Sequence, residues 1–257
     1  MSRRNNIIRQ QINWTVLCDS IFTGISYAGL RDLVKTGWDA TQSVDRYGST
    51  ALLWAAGEGH IEVCRYLVDF CGANVNELRG KDGMKRHALH WAARNGRLVV
   101  AKWLVDELGV NPDVPTGDGT TPLHFAAFNA QLHMCRWLIE ECKCDVHILN
   151  GYGCNASQWS ALRGDVEVMR YLQSAGVDFR ALNLNGHSAL HKVAIKGHEE
   201  ACVWLTTPIE KGGAGLGLEH LQMDDDGFTP MLFARANGHT YVANILSQFY
   251  EEKQLEI

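Results

Sequence analysis

Several features that would mark a function at once are missing from this chain of 257 residues. No uncharged apolar run nears the roughly 18 residues of a membrane-spanning helix. Even "LVVAKWLV" over 98–105 contains Lys102, so membrane insertion is not expected. No charge of one sign dominates: 24 basic and 29 acidic residues leave a net charge of −5. That balance gives no field of the kind that draws proteins onto nucleic acid or anionic lipid. No apolar secretory core follows the start, "MSRRNNIIRQQINW". Its three arginines and lack of acids have a faint transit-peptide character, but the expectation for residues 1–13 is an ordinary flexible, solvated leader. Eight cysteines without a secretory signal do not read as a disulfide framework. A reducing compartment, cytoplasm or nucleus, is expected.

What the sequence does have is a period. Tip glycines stand at Gly48, Gly83, Gly119, Gly153, Gly186 and Gly227, separated by 35, 36, 34, 33 and 41 residues. A second mark runs in step at Gly24, Gly59, Gly96, Ala130, Gly164, Gly197 and Gly238. Between the marks a short run such as "ALHWAARNG" precedes a longer amphipathic run such as "RLVVAKWLVDEL". Apolar residues in the longer run recur at helical offsets, as in Val100, Trp103 and Leu104. Each unit therefore reads as helix, turn, helix and an extended loop ending in a hairpin tip. A unit this small has too little core to stand alone, so neighbours must stack.

The stretch Thr121-Pro122-Leu123-His124, its partial echo "TPML" over 229–232, and the Gly-His pairs at 59–60, 197–198 and 238–239 resemble the ankyrin repeat. The resemblance covers residues 14–250, as units at 14–47, 48–82, 83–118, 119–152, 153–185, 186–226 and 227–250. The first of these is degenerate, and a polar end follows at 251–257. It implies a mainly α fold, an ankyrin-repeat solenoid of stacked helix-turn-helix units with β-hairpin-like tips in a single elongated domain. Thr121 suits an N-cap and Pro122 the first helical position. Gly59 and its counterparts suit a left-handed helix end, and Leu52, Leu89, Leu123 and Leu190 should form one buried stripe.

The chemistry-bearing residues follow the same phase. His90, His124 and His191 recur in one slot, with Gln158 in the intermediate one. A residue copied from unit to unit belongs to the unit, and the resemblance implies a hydrogen-bonding tie between neighbouring tips. Cys64, Cys135 and Cys202 fall in an inward slot and read as small core residues. Cys142, Cys144, Cys154 and His147 could be taken for a zinc cluster, but the first two occupy ordinary apolar positions. Cys154, at a tip, could instead be a reactive surface thiol. No catalytic, cofactor or metal residues are assigned. "GGAGLG" over 212–217 has the composition of a phosphate-cradling loop without its strand or Lys-Ser, and reads as part of a flexible loop insertion over 206–223. Asp224, Asp225 and Asp226 read as a solvated turn. Trp54, Trp91, Phe125, Trp159 and Phe233 share one phase, and Tyr66, Trp103, Trp137, Tyr171 and Trp204 another. A packed ladder is expected of them, with base stacking as the alternative.

The resemblance implies a non-catalytic scaffold or adaptor that binds a partner protein on its concave face, as a monomer, with no small-molecule substrate and no cofactor. The alternative is a regulatory or targeting subunit of an enzyme or channel complex, with catalysis elsewhere. Contact residues expected by phase are Tyr47, Glu58, Met84, Lys85, Arg86, Arg94, Asn95, Phe128, Tyr152, Arg163 and Lys196, with Ser49, Thr120 and Cys154 beside them at the tips. The third unit has a longer tip, "GMKRH" from Gly83 to His87. Its cations suggest an acidic or phosphorylated partner segment.

Overall fold

The computed structural model describes residues 31–255, apart from 33, 36, 38, 42, 43, 46 and 81–84. The expected leader, most of the degenerate first unit, and the tip residues Gly83 and Met84 lie outside the described residues. The chain forms two compact parts that divide between Asp118 and Gly119.

Helices follow one another in pairs through both parts. The N-terminal part contains α1 (Ala51–Glu58), α2 (Ile61–Asp69), α3 (Ala88–Arg94) and α4 (Leu98–Lys102). The C-terminal part contains α5 (Pro122–Phe128), α6 (Leu132–Arg136), α7 (Ala156–Arg163), α8 (Val166–Ser174), α9 (Ala189–Lys196), α10 (Glu199–Thr206), α11 (Pro230–Ala236) and α12 (Thr240–Leu255). First helices pack on first helices, α1 on α3 in one part and α5, α7, α9 and α11 in series in the other. Second helices do likewise: α2 on α4, and α6, α8, α10 and α12 in series. This is a helical solenoid of helix-turn-helix units. Tips make no β-sheet among the described residues, only isolated bridges at Val44–Thr50 and Arg79–Arg86.

Local chemistry sets the helix starts. Thr121 caps α5 with extended backbone, and Pro122 takes the first position, where no amide donor is required. Thr50 and Thr229 cap α1 and α11 in the same way. In the third unit His87 takes the threonine's place, its Nδ1 accepting from the Leu89 amide at 3.0 Å. The first helices end on left-handed residues, Gly59 (φ 86), Gly164 (φ 78) and Gly197 (φ 74). Ala130 takes the corresponding turn at φ 55 despite its Cβ.

Leu89 and Leu190 are fully buried, and Leu52 and Leu123 nearly so. They are the expected stripe. On the second helices a Trp or Tyr lies inside the stack, and the cation preceding one unit's ring covers the next unit's ring. Arg65 stands 5.7 Å from the Trp103 centroid, Arg136 4.6 Å from Tyr171 and Arg170 5.7 Å from Trp204. Trp103, Trp137 and Trp204 are buried, so their faces are not base-stacking platforms.

The segment after α10 departs from the expected flexible insertion. It is folded, with 3-10 turns at Ile209–Lys211 and Leu218–Leu221. Its backbone bonds back to α10 through Ala214 N to Trp204 O (2.9 Å) and Leu216 N to Leu205 O (3.0 Å). Ala214, Leu216 and Leu221 are buried. The glycines let the backbone run close to α10 where a side chain would collide: a methyl group on Gly213 would meet the Thr207 carbonyl oxygen at 2.0 Å.

Candidate functional site

The tips are held from within. In four tips the residue three before the tip glycine is an Asp or Asn whose side-chain oxygen accepts two backbone amides inside the loop. Asp45 accepts from Tyr47 and Ser49, both at 2.8 Å, and Asn150 from Tyr152 and Cys154, both at 3.0 Å. Asn183 accepts from Asn185 (3.0 Å) and His187 (2.8 Å), and Asp224 from Asp226 (3.1 Å) and Phe228 (2.7 Å). Short acceptor side chains form such turns because they replace a backbone carbonyl at little entropic cost. The acidic run 224–226 is therefore no solvated turn at its first residue: Asp224 is buried and fixes the loop.

Tips are tied to tips by the recurring histidines. His124 Nδ1 accepts from the Thr121 amide (3.2 Å), and its Nε2 lies 3.0 Å from the Cys154 carbonyl of the next tip. His90 makes the same Nδ1 bond with the His87 amide (2.8 Å), while its Nε2 lies 2.7 Å from the Val114 carbonyl, five residues before the next tip glycine. His191 keeps the Nδ1 half, at 3.1 Å from the Ser188 amide. Its Nε2 is buried without a hydrogen bond. Gln158 fills the slot with two donated bonds, to Ala181 O (2.9 Å) and His187 O (3.0 Å). Burial holds the His87 and His191 imidazoles down at about 4, so both are neutral at neutral pH.

The cysteines of the inward slot, Cys64, Cys135 and Cys202, have no solvent exposure. Burial pushes each thiol up to about 12. Cys144 is also buried and Cys142 partly so. Among the described residues no group of three or more His, Cys, Asp or Glu could hold a metal ion. Cys154, considered as a surface thiol, is buried, with Asn183 Nδ2 3.5 Å from its sulfur. Ser49 and Thr120 are buried as well. These three were expected beside the recognition positions and instead belong to the frame; at Ser49 and Cys154 the peg accepts the residue's own amide and turns it inward.

The remaining contact candidates divide by solvent access. Tyr47 and Tyr152 are 58% and 60% exposed. Lys85, Arg94, Arg163 and Lys196 are exposed, while Glu58, Arg86, Asn95 and Phe128 are half-buried. Arg94 lies 5.7 Å from the Trp91 ring. Asn95 is engaged internally, its amide donating to the Gly57 carbonyl at 2.8 Å. Glu58 stands 3.8 Å from Arg97. Phe128 packs on Trp159, ring centroids 5.6 Å apart. Lys85, Arg163 and Lys196 have no partner among the described residues. In the third unit's tip, Arg79 and Arg86 exchange backbone bonds of 2.9 and 2.7 Å at the base of the loop.

The first-helix rings form the expected ladder, Trp54 on Trp91 at 5.8 Å and Phe125 on Trp159 at 5.7 Å. The ladder breaks at the sixth unit, where the position after His191 is Lys192. Beside that break a cavity of about 250 Å³ opens, lined by Tyr152, Gln158, Trp159, Leu162, Asn183 and Lys192 among others. Sequence reasoning missed Lys192, although its signal was a gap in a phase otherwise occupied by rings.

The sequence matches the family model described as ankyrin repeats (3 copies) over residues 20–116, 75–150, 102–183 and 158–256. The chain belongs to the ankyrin-repeat family. No curated protein gives a direct sequence match. Ankyrin repeats generally mediate protein–protein interaction, and the family is generally non-catalytic. No helix among the described residues of this ankyrin-repeat chain is long and apolar enough to cross a membrane.

Proposed function

We propose that this ankyrin-repeat chain is a non-catalytic interaction scaffold that binds a partner protein on the face made by its tips and first helices. The observation that carries the reading is exposed aromatic surface on stiff loops. Tyr47 and Tyr152 are more than half exposed, yet each sits in a loop whose backbone is pegged by Asp45 or Asn150. A large ring on a rigid turn loses little conformational freedom on binding, and Tyr and Arg are enriched at binding hot spots.

In the N-terminal part, the cations Lys85, Arg86 and Arg94 favour an acidic or phosphorylated segment of the partner. In the C-terminal part, Tyr152 is accompanied by Phe128, Arg163 and Lys196. Affinity purification with the whole chain, read by mass spectrometry, tests the reading. A partner recovered by the parent protein should bind at least about ten-fold more weakly to Tyr47→Ser or Tyr152→Ser, as expected of a buried aromatic anchor. Undiminished binding by both would overturn the assigned face. Unchanged affinity of the Lys85→Ser, Arg86→Ser, Arg94→Ser triple variant would dispose of the acidic segment.

A further inference from the structure

Beside the cavity between the fifth and sixth units, the first-helix phase carries its one cation among the described residues. Lys192 stands where Phe125 and Trp159 stand in the preceding units, so a flexible cation replaces a ring and leaves the space beside Trp159 unfilled. Its Nζ donates to His187 Nδ1 at 2.8 Å, and His187 Nε2 lies 2.7 Å from Asp224 Oδ2. That chain of bonds fixes the imidazole as the tautomer protonated on Nε2, since Lys192 offers only donors. The His187 ring therefore stands between Asp224 and the ammonium, which make no direct hydrogen bond. Among the described residues no carboxylate pairs with Lys192 directly.

A half-buried ammonium whose counter-charge, Asp224, acts on it only at a distance is costly to maintain. Burial accordingly lowers the Lys192 pKa. An apolar residue in the slot would have avoided that cost, and the neighbouring units use one. Two of the three N–H bonds of Lys192 are uncommitted, and the walls are the Trp159 ring, Leu162 and the exposed Tyr152.

We propose that this cavity is a recognition pocket for a carboxylate side chain on an acidic segment of the partner protein, with Lys192 as its counter-ion and Tyr152 and Trp159 gripping the aliphatic stem. The proposal rests on the interaction-scaffold reading and adds the chemistry of one anchor point. Charge complementarity selects the occupant: a carboxylate supplies a counter-charge in direct contact and accepts the two free N–H bonds, whereas an amide supplies neither at full strength.

The test uses the full chain labelled with 15N. A short peptide of alternating glutamate and glycine is titrated while the Trp159 indole N–H resonance is followed. A saturable shift is expected, absent with the glutamine–glycine peptide and weakened about ten-fold or more in Lys192→Met, as for removal of one partner of a desolvated charge pair. Lys192→Phe, which restores the ring of the preceding units, should stay folded and also lose the shift. It keeps the experiment decisive if Lys192→Met does not fold. No shift with the glutamate peptide, or an equal shift with the glutamine peptide, overturns the pocket. N-acetylglutamate binding as tightly as the peptide would assign it to a free small carboxylate and overturn the protein segment. A partner that depends on Tyr152 yet binds the Lys192 variants as tightly as the parent would sink the pocket and leave the scaffold reading standing. Loss of dependence on Tyr47 and Tyr152 would strike that reading first.

Discussion

The Arg136 guanidinium lies 4.6 Å from the centroid of the Tyr171 ring, and the Tyr171 hydroxyl donates to Glu140 at 3.0 Å. One unit's second helix thus supplies both the cation over the ring and the acceptor for its hydroxyl. Arg136→Ala is expected to lower stability by about 0.5–1 kcal/mol, with Arg136→Lys intermediate because an ammonium stacks less well than a planar guanidinium. Urea midpoints followed by tryptophan fluorescence would measure both. Equal stability of the alanine variant and the parent would remove the contact from the account of what holds the repeats together.

The tip pegs give a sharper contrast. Asn183→Ala strands the Asn185 and His187 amides and is expected to cost about 1–2 kcal/mol. Asn183→Asp should cost far less, because Asp45 and Asp224 do the same work in other units. Thermal unfolding of the two variants decides this, and a similar loss from both would mean that the amide nitrogen, not the shared oxygen, matters.

Phase made the helix pairs, the Thr121 cap, the leucine stripe and the histidine slot legible in the sequence, because each depends on a residue recurring at one offset. The pegs recur too, three residues before the tip glycines, but their slot holds Asp, Asn, Thr116 or Gly80. A side chain defined by its oxygen rather than its identity is hard to see as one position. The second helices hide a different event. Val110 bonds to Leu104 O and Cys144 to Leu138 O, one residue longer than Val177 to Leu172 O. The extra residue is absorbed in π turns at Trp103–Glu107 and Trp137–Glu141. Lys192 escaped because periodicity draws attention to what repeats, and this residue matters for being an exception.

Acid should unfold the protein through its neutral histidines. His87 and His191 have their ordinary value of 6.5 lowered to about 4 by burial. Above pH 6.5 neither folded nor unfolded chain protonates them, and stability is unaffected. Between 6.5 and about 4 the unfolded chain binds protons that the folded chain refuses, so stability falls as pH falls, by on the order of 3 kcal/mol per histidine across the window. Below about 4 the loss levels off. His191→Gln, copying Gln158, is expected to flatten part of this slope while preserving stability at neutral pH. Urea titrations at pH 7 and pH 4.5 would measure it, and an unchanged slope would absolve His191.

Two left-handed glycines separate backbone strain from crowding. At Gly176 (φ 91) an added methyl meets nothing within 4 Å, whereas at Gly164 (φ 78) it would sit 2.2 Å from His198 Cγ. Gly176→Ala should therefore cost only the left-handed penalty of about 1–2 kcal/mol. Gly164→Ala should cost clearly more, because it also drives His198 off the Leu162 carbonyl that it meets at 3.0 Å. Calorimetric melting of both variants would show the difference, and equal losses would mean that the ring moves aside freely.

Cys64, Cys135 and Cys202 stand in separate repeats, sealed from solvent and held as thiols. A sulfhydryl so placed is inert to an alkylating reagent while its repeat is closed and reacts once that repeat opens. The native sequence therefore comes with three internal clocks, and the order in which they are alkylated would reveal from which end, or from which middle, the chain begins to come apart.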